Sequence, residues 1–199
     1  MSLTCSTIEY KAKQMELIFD LRKAMAAVAF LLKNEGDKLD MFLGIKMLYW
    51  ADKQALINWG QTITGDKFVS MQNGPALSRI YDLFKGTAGS KYQKEWNLHF
   101  TQRVNHSIRL LKPVDVGVLS RREMEALENA RKEINSCAPR DVAEWLHKDC
   151  PEWQNPHGGS RPINLRIILQ NAGKTPEEIK NIEESNSTFV HTKELLGLS

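Results

Sequence analysis

The stretch KMLYWADKQALINWGQTITGDKFVSMQNGPALSRIYDLFKG, Lys46–Gly86, carries a helix, a turn, a short strand and a second helix in one run. Leu48, Ala55 and Trp59, with Met41 and Ile45 before them, fall at helical steps, and Asp52 interrupts that apolar stripe. A carboxylate on an apolar face costs free energy unless it is hydrogen-bonded or paired. The plainer reading is that Asp52 anchors amides or hydroxyls of the segment Thr64–Gly74. The other reading makes it a general base or metal ligand. Thr64-Gly65-Asp66 reads as a turn, Lys67–Met71 as a short strand, and Asn73-Gly74-Pro75 as the cap and first position of the next helix.

On either side of this run the pattern is mostly helical. Ile18, Leu21, Met25, Val28 and Leu32 define one face of a helix expected from about Tyr10 to Lys33, and a second helix is expected from Leu39 to Trp59. Gly86–Ser90 reads as a loop. Trp96, Leu98 and Phe100 alternate with polar residues as a half-buried strand would, with Ser107–Leu111 as its partner. Ser120-Arg121-Arg122-Glu123 is a capping box opening a helix through Met124, Leu127, Ala130 and Ile134. A shorter helix follows from Pro139 to Lys148, then a Pro- and Gly-containing loop from Cys150 to Pro162. Two small closing helices end the pattern, the second opened at Thr175-Pro176. The fold class expected is α+β and mainly helical, with six to seven helices and a small antiparallel sheet of two to three strands. Residues 1–185 form a single domain in this reading, and 186–199 a flexible polar tail.

The chain has 199 residues, 42% hydrophobic and 26% charged, the balance of an ordinary soluble domain. Its net charge of +3 is mild, with Lys and Arg interleaved among Asp and Glu; nucleic-acid binders usually carry a denser basic patch, and the composition neither supports nor excludes DNA binding. The start, MSLTCSTIEYK, has neither a basic beginning nor an apolar core, so no signal peptide is expected. The longest apolar run, Ala24–Leu32, is far short of the roughly 20 residues a membrane crossing needs. Three cysteines, Cys5, Cys137 and Cys150, are an odd count, which fits free thiols in a reduced, cytoplasmic protein.

Motifs for chemistry are sparse. Gly86–Lys91 lacks the spacing of a phosphate loop. Cys137, His147, Cys150 and His157 match no structural zinc pattern, so neither metal nor cofactor is expected. His147 reads as a helix-end residue beside the last carbonyls. Asn73-Gly74-Pro75 could hold an anion on exposed amides, although plain capping accounts for it. No nucleophile elbow, zinc-protease motif or dinucleotide fingerprint is present. A small hydrolase using Asp52, Asp66 or His147 is the alternative from the enzyme class, and a nucleic-acid-binding regulator is a third reading.

Taken in order, Ile18–Leu32, Leu48-Tyr49-Trp50-Ala51-Asp52, Ile63-Thr64-Gly65-Asp66, Gly74-Pro75, Tyr81-Asp82-Leu83, His147 and Pro151-Glu152-Trp153 resemble the Panacea domain, or SocA-like antitoxin, family. The closing pair Ile163–Ile182 extends the resemblance over roughly residues 15–185. Ala76 and Trp50 depart from the usual pattern, both with apolar residues. The resemblance implies a non-enzymatic antitoxin that neutralises a cognate protein toxin by direct contact. The SocA branch implies an alternative, a proteolytic adaptor that delivers the toxin to a cytosolic protease, and phage relatives imply a phage-encoded regulator of host defence. Few residues precede the first helix, so no separate DNA-binding domain is expected there. Neither membrane nor nucleic acid is an expected partner. The residues assigned to toxin binding or loop organisation are Tyr49, Asp52, Thr64, Gly65, Asp66, Asn73, Gly74, Pro75, Tyr81, His147, Pro151 and Trp153. Three patches follow: the loop Thr64–Pro75 held by Asp52, the segment His147–Trp153, and the tail with Phe189-Val190 and Leu195-Leu196.

Overall fold

Helix α2, Met41–Trp59, is the axis of the molecule, buried on nearly every side. Ala51 and Ala55, both fully buried, let neighbours approach closely. The Asp40 carboxylate caps its start by accepting from the Leu43 amide at 3.0 Å, and Gly60 ends it in the left-handed conformation. The computed structural model describes residues 15–197. Cys5, the chain start and the Tyr10 end of the first expected helix lie outside the described residues.

The other helices are α1 (Leu21–Asn34), α3 (Ser78–Lys85), α4 (Ser90–His99), α5 (Arg121–Asn135), α6 (Val142–Asp149), α7 (Leu165–Asn171) and α8 (Pro176–Leu195). Helices α1 and α5 pack on one side of α2. The other side meets a three-stranded antiparallel sheet of order β3-β2-β5, formed by β2 (Phe68–Met71), β3 (Gly74–Leu77) and β5 (Ser160–Pro162). A second, two-stranded sheet pairs β1 (Leu39–Asp40) with β4 (Ser107–Ile108). One continuous hydrophobic core runs through all of this. The fold is α+β and mainly helical as expected. Its eight helices among the described residues slightly exceed the expected number, and the strands make two small sheets rather than one.

Several boundaries differ for identifiable reasons. Helix α1 begins at Leu21 because Asp20 is its cap, accepting from the Lys23 amide, so Leu17 and Ile18 lie ahead of the helix. Asn73-Gly74-Pro75 does not open a helix. Gln72 and Asn73 turn a hairpin in which Met71 faces Gly74 and Ser70 faces Pro75. Pro75 sits on an edge strand, where a missing N–H breaks no ladder. Trp96 and Leu98 belong to α4 rather than to a strand: Trp96 is buried and Leu98 exposed. Three residues of alternation are too few to separate the two periods. Residues Phe100–Leu110 fold back as a ribbon through the turn Asn105–His106, both at positive φ, and its far arm pairs with β1. The capping box at Ser120 and Glu123 is present, and that glutamate also pairs with Lys23 across to α1. The loop 150–162 contributes β5. Residues 186–195, expected as a polar tail, continue α8, whose Asn186 is buried and donates to the Gly60 carbonyl at 2.7 Å.

Candidate functional site

Asp52 lies six residues beyond Lys46 on α2 and is fully buried. Its Oδ1 accepts from the Ile63 and Thr64 amides at 2.8 and 3.2 Å, and its Oδ2 meets the Thr64 hydroxyl. Burial pushes its pKa up to about 7, against the pull of these donors. Asp66, also buried, accepts from the Lys67, Arg79 and Ile80 amides and so caps α3 from a distance, in place of a local capping residue. Both carboxylates are saturated by donors of the turn and helix they hold. The segment Met15–Asp20 covers that turn, with the Asp20 amide donating to the Thr64 carbonyl at 2.8 Å. At Gly65, φ is 66° and an added Cβ would stand 1.8 Å from the Ile18 carbonyl oxygen, so glycine is required there.

A second polar layer lies between α2 and the segment 147–153. Lys46, Tyr49 and Lys53 recur at three and four residues on α2 and so share a side of it. The Tyr49 hydroxyl donates to Glu152 Oε1 at 2.5 Å, and Lys53 Nζ reaches the same oxygen at 2.8 Å. Lys53 also donates to the Asp149 carbonyl at 2.9 Å and lies 3.5 Å from Cys150 Sγ. Burial raises the Tyr49 hydroxyl well above its ordinary value and pushes the Cys150 thiol up to about 12. Trp153 Nε1 donates to the Met71 carbonyl at 2.8 Å, while its ring stacks on His147 with centroids 3.7 Å apart. This layer is not saturated: Glu152 Oε2 and His147 Nε2 are buried without a hydrogen-bond partner among the described residues.

Lys46 connects this layer to a cleft. Its ammonium donates to the Pro75 carbonyl at 2.7 Å, and burial lowers its pKa to about 7. No carboxylate pairs with it among the described residues. The His147 ring, its pKa lowered by burial and then by Lys46, shares with the lysine the space over Gly74: an added Cβ there would lie 3.4 Å from Lys46 Nζ and 3.6 Å from His147 Nε2. The cleft measures about 920 Å³. Met41, Phe42 and Ile45 of α2 line it together with Val69, Met71 and Ala76 of the hairpin. Tyr81, Asp82 and Lys85 of α3 form another wall, and Arg103, Asn105 and His106 of the ribbon close it.

The family model described as "Antitoxin SocA-like, Panacea domain" matches residues 45–154, more than half of the chain. The chain belongs to this SocA-like antitoxin, Panacea domain family. No curated protein and no solved structure matches it. The matched segment begins one residue before Lys46 and ends one after Trp153, so the Panacea domain model spans both polar layers and most of the cleft wall.

Within this Panacea domain the residues singled out in the sequence take different places. Tyr49, Asp52, Thr64, Asp66, Gly74 and Pro75 are buried. Gly65, Tyr81, His147 and Trp153 are half-buried, and Asn73 and Pro151 are exposed. Asn73 and Tyr81 line the cleft, while Tyr49, His147, Gly74 and Trp153 gather behind it. Asp52, Thr64 and Asp66 form the separate layer under Met15–Asp20, so the loop they hold offers Lys67, Gln72 and Asn73 to solvent rather than the turn itself. The His147 ring turns inward toward Lys46 and Gly74, where the sequence reading placed it against the last carbonyls of its helix. Among the described residues no three His, Cys, Asp or Glu side chains come together in a group that could hold a metal ion, and no helix is long and apolar enough to cross a membrane. Lys46 and Lys53 were given no role in the sequence, and Glu152 entered it only within the motif Pro151-Glu152-Trp153. The signal was there in two lysines seven apart, with Tyr49 between them at helical steps, on a helix that is mostly apolar.

Proposed function

We propose that this Panacea domain is the antitoxin of a toxin–antitoxin pair and that it neutralises a cognate protein toxin in the cytoplasm by direct contact, without catalysis. The observation that carries this reading is the family match over residues 45–154. Two physical features favour binding over chemistry. The titratable groups nearest a nucleophile's role are held in protonated or engaged states: the Cys150 thiol, pushed up to about 12, is the reverse of an activated cysteine. Asp52, the side chain a hydrolase would use, has both oxygens occupied by the loop it anchors. The surface left for a partner is the cleft rim, where Asn73 and Tyr81 stand on a scaffold fixed from behind.

The test is co-expression of the full chain with the gene beside it in its native locus. If that neighbour is toxic alone, growth is restored by this chain and the two proteins co-purify. Restored growth with no stable complex, but with protease-dependent loss of the toxin, replaces direct neutralisation by delivery to a cytosolic protease. A toxic neighbour that this chain does not counter removes the antitoxin reading for that pair and leaves family membership as a statement about fold.

A further inference from the structure

Lys85–Lys112 carries six Lys and Arg residues against a single carboxylate, Glu95. The whole chain is only +3, so the rest of the molecule is net acidic and this segment holds more than all of the excess. In three dimensions the segment runs from the end of α3 through α4 and the ribbon. Lys85 and Arg103, both exposed, project from it onto the cleft. Neither pairs with a carboxylate among the described residues: Lys85 lies 5.2 Å over the Tyr81 ring, and Arg103 reaches the Met41 sulfur at 3.8 Å. The cleft's own acids do not balance them. Asp40 is engaged in capping α2, and Asp82 stands beside Thr87.

At the opposite wall Lys46 is only 3% exposed, donates to one carbonyl, and has no acid partner among the described residues. Burial disfavours the charged form of this lysine, which rests on the Pro75 carbonyl and lies 5.3 Å from the centre of the Phe42 ring, and a carboxylate brought into the cleft would favour its charge. The imidazole edge beside it, His147 Nε2, is also without a hydrogen-bond partner among the described residues. Between these cations the walls are apolar: Phe42, Ile45, Val69 and Met71. Phosphate-tracking surfaces rely on a continuous basic groove, and Asp40 and Asp82 interrupt this one. Apolar walls with a buried cation and two cations at the rim fit a peptide segment in which carboxylates alternate with aliphatic or aromatic side chains.

We propose that the cleft between α2, the β2–β3 hairpin and the ribbon is a peptide-binding site for an acidic, apolar segment of a partner protein, with Lys46 receiving one carboxylate at the floor and Lys85 and Arg103 holding others at the rim. This rests on the antitoxin reading only for the identity of the partner. The site itself is defined without a toxin, so its test need not include one.

The probe is a random 12-residue peptide library displayed on phage, selected on the immobilised full chain, followed by synthesis of the enriched peptides for titration by fluorescence anisotropy. Enriched peptides are expected to carry Asp or Glu next to Leu, Ile, Phe or Trp. Lys85→Glu with Arg103→Glu should weaken them at least tenfold. The equal charge change Lys132→Glu with Lys180→Glu, on exposed faces of α5 and α8, should leave affinity within twofold. Lys46→Met should also weaken binding at least tenfold while melting no lower than the parent, which separates lost binding from lost folding. Replacing the peptide's key carboxylate by its amide should remove the sensitivity to Lys46→Met. The proposal is overturned by enriched peptides without carboxylates, by variants that bind as well as the parent, or by no enrichment at all. It is equally overturned if a labelled 24-base-pair duplex binds at low salt, loses binding in the rim variant and ignores Lys46→Met, since the basic segment then serves nucleic acid. Growth rescue reports on the antitoxin reading alone, so either result can fail without the other.

Discussion

Two buried polar layers flank the hairpin, and they differ in how completely their hydrogen bonds are met. Around Asp52 and Asp66 each carboxylate oxygen has donors from the segment it holds, and Met15–Asp20 lies over the turn. Around Lys46 and Glu152, a carboxylate oxygen and an imidazole nitrogen go without partners among the described residues, and a lysine with no counter-ion among them faces a cleft. Buried polar groups are nearly always satisfied, so the few that are not call for a partner from outside the chain, a water or a ligand group. The first layer closes a structure. The second leaves capacity for a contact from outside.

The sharpest way to break this contrast is to remove Asp52. Asp52→Ala leaves two buried amides and a buried hydroxyl without their acceptor and should cost about 4 kcal/mol, on the order of 10 °C in melting temperature for a chain of this size. Loss of toxin neutralisation with unchanged stability would instead make Asp52 a functional group. Gly65→Ala should cost somewhat less, about 3 kcal/mol, because a left-handed backbone and a clash with the Ile18 carbonyl act together. Proteolysis that nicks Met15–Asp20 in this variant but not in the parent is the matching local readout. An intact segment would mean that the turn, rather than its cover, absorbs the strain.

Truncation after Ser185 addresses the far end of α2. Asn186 donates to both the Gly60 and Ile182 carbonyls, and Val190 is buried. The deletion should therefore lower stability by about 2 kcal/mol, measured by urea denaturation. Toxin affinity is expected to hold, since none of the cleft walls comes from α8. Weakened affinity with unaltered stability would move the partner surface to the exposed Phe189, Leu195 and Leu196.

The sequence made the saturated layer legible and hid the other. Asp52 stood out because a carboxylate on an apolar stripe demands donors, and turn residues with free amides follow it closely in the chain. The helices with strong caps, Ser120 with Glu123 and Thr175 with Glu178, were legible for the same local reason. Pro75 misled, because proline suits a first helical turn and an edge strand equally, and only β2 across the turn tells them apart. Lys46 and Glu152 are 106 positions apart, and nothing local marks either as buried. Their layer exists only once the segment after α6 folds against α2. The basic bias of Lys85–Lys112 was countable in the chain, but a whole-chain net charge of +3 averages it away.

The smallest effect gives the finest separation of the two layers. Lys46 is held near a pKa of about 7 in the folded protein, below its ordinary value of 10.5, because burial disfavours its charge. Between these values the unfolded chain binds more protons than the folded one, so the lysine's contribution to stability rises with pH. The penalty is full below pH 7 and fades as pH approaches 10.5. Asp52, raised from 3.8 to about 7, has the opposite sign over an earlier window: its contribution falls as pH rises from 3.8 toward 7. Lys46→Met should therefore stabilise the protein by on the order of 1 kcal/mol at pH 6, an advantage that shrinks toward zero by pH 10. Denaturant titrations of parent and variant at pH 6, 8 and 10 measure this. A gap that stays constant across the series would mean that Lys46 is charged throughout and already has a counter-ion, which would make the cleft layer as saturated as the one around Asp52.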